Sequence, residues 1–209
     1  MLNIFSIFNL TYSTLSSFIS SYGYFAILIL MILESASMPI PSELLLPATG
    51  YFAAKGVLNI YIALVVIYVS SFIGMAINYY IAYLLGKDLV YKHLHWFRIK
   101  KEDVEAFERW FDKNGPFTVF ISRLLPIVRG FINFPAGFAL MNQKKFYTYS
   151  MAGTIIWDTA LVMFGYYGLA ANSITNVLIA IGVFGVVLYI IYRVAINNIR
   201  KSSKDYNKS

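Results

Sequence analysis

The segment ESASMPIPSE, residues 34–43, separates two apolar stretches, residues 22–33 and 44–54. Pro39 and Pro41 lack a backbone N–H and restrict the residues before them, so a helix cannot run through this segment. Each apolar stretch has roughly 12 residues, which is too short to cross about 30 Å of hydrocarbon. A broken helix is tolerated at membrane depth only where protein or water covers its backbone. The segment therefore predicts a re-entrant helical hairpin whose tip is buried among other helices.

Residues 117–141 show the same pattern, because short apolar runs are again interrupted by charged and helix-breaking residues. The interrupting residues are Arg123, Pro126, Arg129, Gly130, Pro135 and Gly137. This stretch predicts a second re-entrant hairpin. The residues expected to shape the tips of the two hairpins are Pro39, Pro41, Gly50, Pro126, Pro135 and Gly137. A surface helix is expected just before it, and the turn residues Asn114-Gly115-Pro116 predict where that helix ends.

The composition is that of an integral membrane protein. Of the 209 residues 59% are hydrophobic and 13% are charged, and the mean hydropathy is +0.65. Soluble domains are typically about 45–50% apolar and about 25% charged, so an ordinary soluble globule is excluded. The absence of cysteine excludes a disulfide framework and a thiolate metal site.

The fold class we expect is an all-α integral membrane protein resembling an inverted repeat, with two opposed re-entrant hairpins, about three full transmembrane helices and amphipathic interfacial helices. Residues 1–21 place apolar side chains at helical spacing and predict an amphipathic helix lying in the interface. The membrane domain is expected over residues 22–196, followed by a basic tail, residues 197–209. Its expected segments are hairpins at about 22–54 and 117–141 and spans at about 58–85, 146–169 and 177–196.

The distribution of positive charge predicts the orientation. The net charge is +7, and seven of the 17 Lys and Arg residues lie between Lys87 and Lys113. Basic residues beside apolar spans mark cytoplasmic loops. The connector and the tail are therefore expected in the cytoplasm, the hairpins enter from opposite faces, and the chain is a multi-pass protein of the plasma membrane. Because the basic residues border apolar spans, nucleic-acid binding is disfavoured.

A faint internal repeat agrees with this arrangement. Residues 47–51 (PATGY) resemble residues 135–138 (PAGF), and the spacing of Gly74 and Gly86 equals that of Gly153 and Gly165. Opposed hairpins of this kind occur in secondary transporters with inverted repeats.

Five ionisable residues are expected at membrane depth: Glu34, Glu43, Arg123, Arg129 and Asp158. One ionised side chain there costs about 2.5–3.5 kcal/mol on insertion scales, so these residues must pair, face water or hold a ligand. One interpretation is a set of ion pairs that locks the hairpins together. The other is a transport path in which the planar forks of the arginines bind a phosphate-type anion. Burial disfavours the charged form of a carboxylate, so the acids are candidate proton carriers.

No metal, cofactor or enzymatic activity is expected. His93 and His95 are two residues apart, which points them to different sides of a helix, and no further ligands accompany them. The sequence also has no glycine-rich phosphate loop and no nucleophile–base spacing.

Two groups of residues resemble the signatures of the DedA family, also called the SNARE-associated or VTT-domain family. The first is Glu34-x4-Pro39-x-Pro41-x-Glu43, followed by Gly50. The second is Phe120-x2-Arg123-x2-Pro126-x2-Arg129-x5-Pro135-Ala136-Gly137, followed by Met141, Phe146 and Trp157. The resemblance covers residues 22–188.

The resemblance implies two facing re-entrant hairpins and lipid translocation. Bacterial members of the family recycle undecaprenyl phosphate, others move phospholipids, and eukaryotic relatives are scramblases. The functional acids of the family match Glu34 and Glu43, and its paired arginines match Arg123 and Arg129. The chain departs from the family at Asn78, where Gly or Asp is common, so an additional charge is not expected there.

Three functions remain open from the sequence. The first is a lipid translocase of the flippase or scramblase type, in which Arg123 and Arg129 bind a polyprenyl phosphate or phospholipid headgroup and protonation of Glu34 or Glu43 is coupled to its passage. The second is a proton-coupled transporter of a small soluble ion or solute. The third is a non-transporting membrane scaffold. Membrane lipids and protons are the expected partners, with a homodimer as a further possibility.

Overall fold

The computed structural model describes residues 13–14, 17–85, 101–126 and 128–169, together with residues 185, 189 and 193. The regular secondary structure of this part of the chain is helical, with turns between the helices and no strand, as predicted. The helices are α1 (Tyr24–Ser35), α2 (Ser42–Ala54), α3 (Ile60–Leu85), α4 (Lys101–Arg123), α5 (Asn133–Phe138) and α6 (Gln143–Met163), and a π-helical turn (Phe164–Leu169) continues α6.

Several expected segments lie outside the described residues. They are most of the interfacial helix over residues 1–21, nearly all of the span over residues 177–196, and the basic tail. Of residues 1–21, residues 13–14 and 17–21 are described, and they are helical.

The first proline-containing segment separates two short helices, as its sequence predicts. Ser37, the second residue after α1, adopts a left-handed conformation with φ of 64°, and the N–H of Met38 donates to the carbonyl of Leu33 at 3.0 Å. This pair of features is the usual helix-ending motif that satisfies the last free carbonyls. The predicted burial of the tip is wrong for its apex, because Met38 is 52% exposed and Pro39 is exposed.

Helix α3 is the one helix in the described ranges that is long and apolar enough to cross a membrane. Its 26 residues span about 39 Å at 1.5 Å per residue. The Oδ1 atom of Asn59 accepts the backbone N–H groups of Tyr61 and Ile62, which caps the first turn. One continuous helix therefore covers residues 60–85 of the predicted span over residues 58–85.

The predicted break at Asn114-Gly115-Pro116 is wrong, because α4 continues through Pro116 to Arg123. A proline inside a helix removes one hydrogen bond and costs about 3 kcal/mol. In the neighbouring turns the Asn114 amide donates to the carbonyl of Trp110 and the Thr118 hydroxyl donates to that of Asn114. The second hairpin therefore begins within a long helix.

The second hairpin is less symmetric than the first. After α4, turns occupy the described part of residues 124–132, and the second arm is only the six-residue helix α5. The following helix, α6, starts after Asn142, whose side chain accepts the N–H of Lys145 at 3.3 Å. With its π-helical turn, α6 covers the predicted span over residues 146–169.

The two halves of the chain make equivalent contacts at the positions paired by the repeat. Gly74 of α3 lies against the end of α1, where a Cβ would meet the carbonyl of Ile32. Gly153 of α6 lies against the end of α4, where a Cβ would lie 2.6 Å from the Cβ of Arg123. Each first arm therefore packs on the long helix that follows it.

The second arm of each hairpin packs against the long helix of the other half of the chain. Helix α2 packs against the π-helical turn through Gly50, and α5 packs against α3 through Gly137. The long helices α3 and α6 are thus each contacted by one arm from each hairpin. This arrangement brings the end of α1, the bend after α4 and the middle of α6 to one place.

Candidate functional site

A buried ion-pair triad lies where these three segments meet. The Nε atom of Arg129 is 3.1 Å from Oε1 of Glu34, and its Nη2 atom is 3.0 Å from Oδ1 of Asp158. Exposure is 7% for Glu34, 3% for Arg129 and 0% for Asp158. One buried guanidinium group therefore bridges two buried carboxylates that come from different helices.

Serine hydroxyls orient both carboxylates of the triad. Ser35, next to Glu34 on α1, donates to Glu34 Oε2 at 3.0 Å. Ser71, on α3, donates to Asp158 Oδ2 at 3.3 Å. Because buried charges are stable only when their remaining lone pairs are also satisfied, these serines form part of the site.

Arg123 is a second buried cation, and it is 2% exposed at the last position of α4. Its Nη2 atom donates to the side-chain oxygen of Asn133 and lies 3.5 Å from Oγ of Ser150. No carboxylate lies within ion-pair distance of it among the described residues. Arg123 is nevertheless within electrostatic range of Arg129, Glu34 and Asp158, so the four charges form one cluster whose formal charges balance.

Each of the two arginines has one buried guanidinium nitrogen without a hydrogen-bond partner. The Nε atom of Arg123 and the Nη1 atom of Arg129 make no hydrogen bond within the described part of the chain. Buried donors are almost always satisfied in folded proteins, and each exception calls for an explanation such as an unseen water or ligand. The site can therefore still donate hydrogen bonds from two guanidinium groups.

A hydrogen-bond chain joins the bends of the two hairpins. The Asn78 amide donates to Oγ of Ser37 at 2.6 Å, and the Ser37 hydroxyl donates to the carbonyl of Gly130 at 2.7 Å. The amide of Asn133 donates to the same carbonyl at 3.1 Å and to that of Ser35 at 3.2 Å. The bends are held together by neutral polar groups as well as by the ion pairs.

Four of the five predicted charged residues meet in this site, and Glu43 does not. Glu43 is exposed in the first turn of α2 and makes no hydrogen bond or ion pair within the described residues. It remains within electrostatic range of Arg129. Glu43 therefore lies beside the cluster, where water can reach it.

The predicted hairpin-tip residues fall into two groups. Pro39, Pro41 and Pro126 lie at the bends between helices. Gly50 lies within α2, and Pro135 and Gly137 lie within α5, so none of the three is a bend residue. Gly50 and Gly137 are positions of close helix contact.

The sequence reasoning missed the neutral members of the site. These are Ser35, Ser37, Ser71, Asn133 and Ser150, and Asn78 was considered only for its lack of charge. A usable signal was present in α6, where Ser150, Thr154 and Asp158 follow one another at intervals of four within an apolar stretch. No group of three or more residues able to hold a metal ion occurs among the described residues, and His93 and His95 lie outside them.

Comparison with known proteins identifies the family of the chain. The VTT domain family matches residues 40–167. Undecaprenyl phosphate transporter A of Staphylococcus aureus is 32% identical over 87% of this chain and 91% of its own length. An alkaline phosphatase-like protein of Lactococcus lactis is 32% identical over 70% and 71% of the two chains, and protein DedA of Escherichia coli is 26% identical over 73% of each.

No solved structure matches the chain. The family match extends over more than half of the sequence, and the similarity to the relatives extends over at least two thirds of each. The chain therefore belongs to the DedA family of VTT-domain membrane proteins.

Proposed function

We propose that this protein is a lipid translocase that moves a polyprenyl phosphate or a phospholipid headgroup across the plasma membrane. The observation that carries the proposal is the pair of buried guanidinium groups, each with an unpartnered N–H. Guanidinium groups match phosphate oxygens in charge and in geometry. The name of the Staphylococcus relative, a transporter of undecaprenyl phosphate, favours a polyprenyl phosphate as the cargo.

The balance of charge supports coupling to protons. The cluster of Glu34, Asp158, Arg123 and Arg129 has balanced formal charges, so a proton on either carboxylate leaves one positive charge in excess. That state attracts a phosphate, and loss of the proton restores the competing ion pair with Arg129. Glu43, which lies exposed beside the cluster, is the proposed entry point for protons from water.

We infer further that the two hairpins are re-entrant and enter from opposite faces of the membrane, with the basic tail in the cytoplasm. This placement puts the arginines near the middle of the bilayer, while the lipid tail stays in hydrocarbon. The exposed apolar residues of α3, among them Val65, Val69 and Phe72, suit contact with lipid. A homodimer is compatible with this placement.

The proposal is tested by transport in reconstituted vesicles. Uptake of a polyprenyl phosphate and of phosphatidylcholine is compared across an imposed pH gradient. We expect uptake of the polyprenyl phosphate to be faster in vesicles with the parent protein than in empty vesicles. The substitutions Glu43→Gln and Arg129→Ala are expected to abolish this increase in rate. The matched control is Lys145→Ala, which removes an exposed charge paired with Asp112 and is expected to keep parental transport.

Two results would contradict the proposal. Parental transport by both Glu43→Gln and Arg129→Ala excludes the assigned residues, and flux of a small soluble ion without lipid movement shows a solute transporter. Release of inorganic phosphate from the lipid is measured in the same vesicles. We expect none, because the protein is proposed to transport and not to hydrolyse.

In the triad, Arg129 is already paired with both Glu34 and Asp158. This pairing also favours a second candidate function, a non-transporting scaffold in which the ion pairs only lock the hairpins together. This function predicts that neutralising Glu34 and Arg123 together lowers the amount of folded protein in the membrane, while the parent itself shows no transport. Transport by the parent therefore decides between the two candidates.

A further inference from the structure

One face of α6 presents three buried polar side chains at intervals of four residues, Ser150, Thr154 and Asp158. Residues four apart lie on the same face of a helix, about 6 Å from one another along its axis. Ser150 contacts Arg123 and Asp158 contacts Arg129. Thr154 therefore lies between the positions at which α6 meets the two guanidinium groups.

The hydroxyl of Thr154 has an unusual environment. Thr154 is 1% exposed, and its Oγ1 atom makes no hydrogen bond within the described ranges. Thr49, Thr118 and Thr159 instead donate to the carbonyl four residues earlier, at 2.9, 3.0 and 2.5 Å. That bond is the ordinary way for a threonine inside a helix to satisfy its hydroxyl. The hydroxyl of Thr154 is thus buried, unpartnered and on the polar face of the helix.

We propose that Thr154 is a binding residue for a phosphate anion, which its hydroxyl holds together with Nε of Arg123 and Nη1 of Arg129. These three buried donors all lack a partner within the described residues, and the neighbouring Gly153 brings α6 against Arg123. The inference rests on the proposed function, because it names a residue that contacts the phosphate group of the transported lipid. It extends the site from the charged residues to a neutral side chain.

The test measures binding to the purified full chain in detergent. The probes are farnesyl phosphate, farnesol and inorganic phosphate. Thr154→Val removes the hydroxyl at nearly constant shape, and Thr154→Ser restores it. Thr49→Val is the matched control, because Thr49 is equally buried but its hydroxyl already bonds the carbonyl of Leu45.

We expect Thr154→Val to weaken binding of farnesyl phosphate about tenfold, the usual effect of losing a hydrogen bond to a charged group. Farnesol binding stays at the parental level, Thr154→Ser returns phosphate binding to within about twofold of the parent, and Thr49→Val leaves it unchanged. Parental affinity of Thr154→Val for farnesyl phosphate and inorganic phosphate would overturn the inference while leaving the lipid function intact.

Thermal unfolding without ligand separates a binding role from a structural one. Removing an unpartnered buried hydroxyl does not destabilise a fold, so Thr154→Val is expected to melt at or above the parental temperature, while Thr49→Val melts below it. A lower melting temperature for Thr154→Val would show a structural partner and overturn the inference.

If the parent binds inorganic phosphate through Thr154 but not farnesyl phosphate, the site stands and the lipid function fails. If the parent binds neither, both fail.

Discussion

The Nε atom of Arg129 lies 3.1 Å from Oε1 of Glu34, although 95 positions separate the two residues in the sequence. This contact joins the bend after α4 to the end of α1, and Asp158 connects α6 to the same guanidinium group through Nη2. A single buried cation therefore connects both hairpins and one long helix. Any movement that separates the hairpins must break this triad.

Substitution of Arg129 is expected to destabilise the fold strongly. Arg129→Ala leaves Glu34 and Asp158 buried without their cation, so the free energy of unfolding should fall by about 3–5 kcal/mol. Unfolding of the detergent-solubilised protein by heat or denaturant measures the change. The control is Lys145→Ala, whose pair with Asp112 is 3.4 Å long and exposed, and it should change stability by at most about 1 kcal/mol. Equal effects of the two substitutions would contradict the burial of the triad.

The contact between α2 and the π-helical turn is expected to tolerate no added side-chain atom. A Cβ at Gly165 would collide with the carbonyl of Pro47, and one at Gly50 would collide with that of Val162. Overpacking of this kind costs about 1–3 kcal/mol, and more against backbone, so Gly165→Ala should lower the melting temperature.

The control for Gly165→Ala is Gly130→Ala, because a Cβ at Gly130 would lie no nearer than 3.6 Å to any neighbour. This variant should melt close to the parental temperature. A Gly165→Ala protein as stable as Gly130→Ala would show that the helices do not approach as closely as described.

Asn78 and Ser37 are expected to act as a coupled pair. The amide of Asn78 donates to the hydroxyl of Ser37, which in turn donates to the carbonyl of Gly130. In a double-mutant cycle of Asn78→Ala and Ser37→Ala, the unfolding free energies should deviate from additivity by about 0.5–3 kcal/mol, as for residues in direct contact. Additive effects would mean that the two bends are not joined by this chain of hydrogen bonds.

The sequence predicted the helical class, the long helix α3, the break after α1 and four members of the buried cluster. These features follow from local chemistry, because prolines end helices and ionised groups in an apolar chain need partners. Glu34 and Arg129 are ionisable residues within apolar stretches. Because each needs a partner there, their proximity was predictable.

The errors have physical causes that a sequence pattern does not reveal. Pro116 taken alone predicts a helix end, yet α4 passes through it and packs against α6, a tertiary contact that the sequence pattern does not reveal. Asn133 was missed because a neutral amide becomes important only when packing brings it to Arg123. Glu43 was placed in the cluster, whereas the first turn of α2 turns its side chain outward.

The account depends most on phosphate binding by the buried guanidinium groups. Solid-state NMR can measure distances from the phosphorus of a bound polyprenyl phosphate to labelled arginine carbons, in bilayers of a phosphate-free glycolipid. Charge-assisted hydrogen bonds of 2.7–2.9 Å place phosphorus within about 4 Å of a guanidinium carbon. We predict such a contact in the parent and its marked weakening in Arg123→Lys, which keeps the charge but loses the fork. A contact of undiminished strength in Arg123→Lys, or none in the parent, would contradict the account.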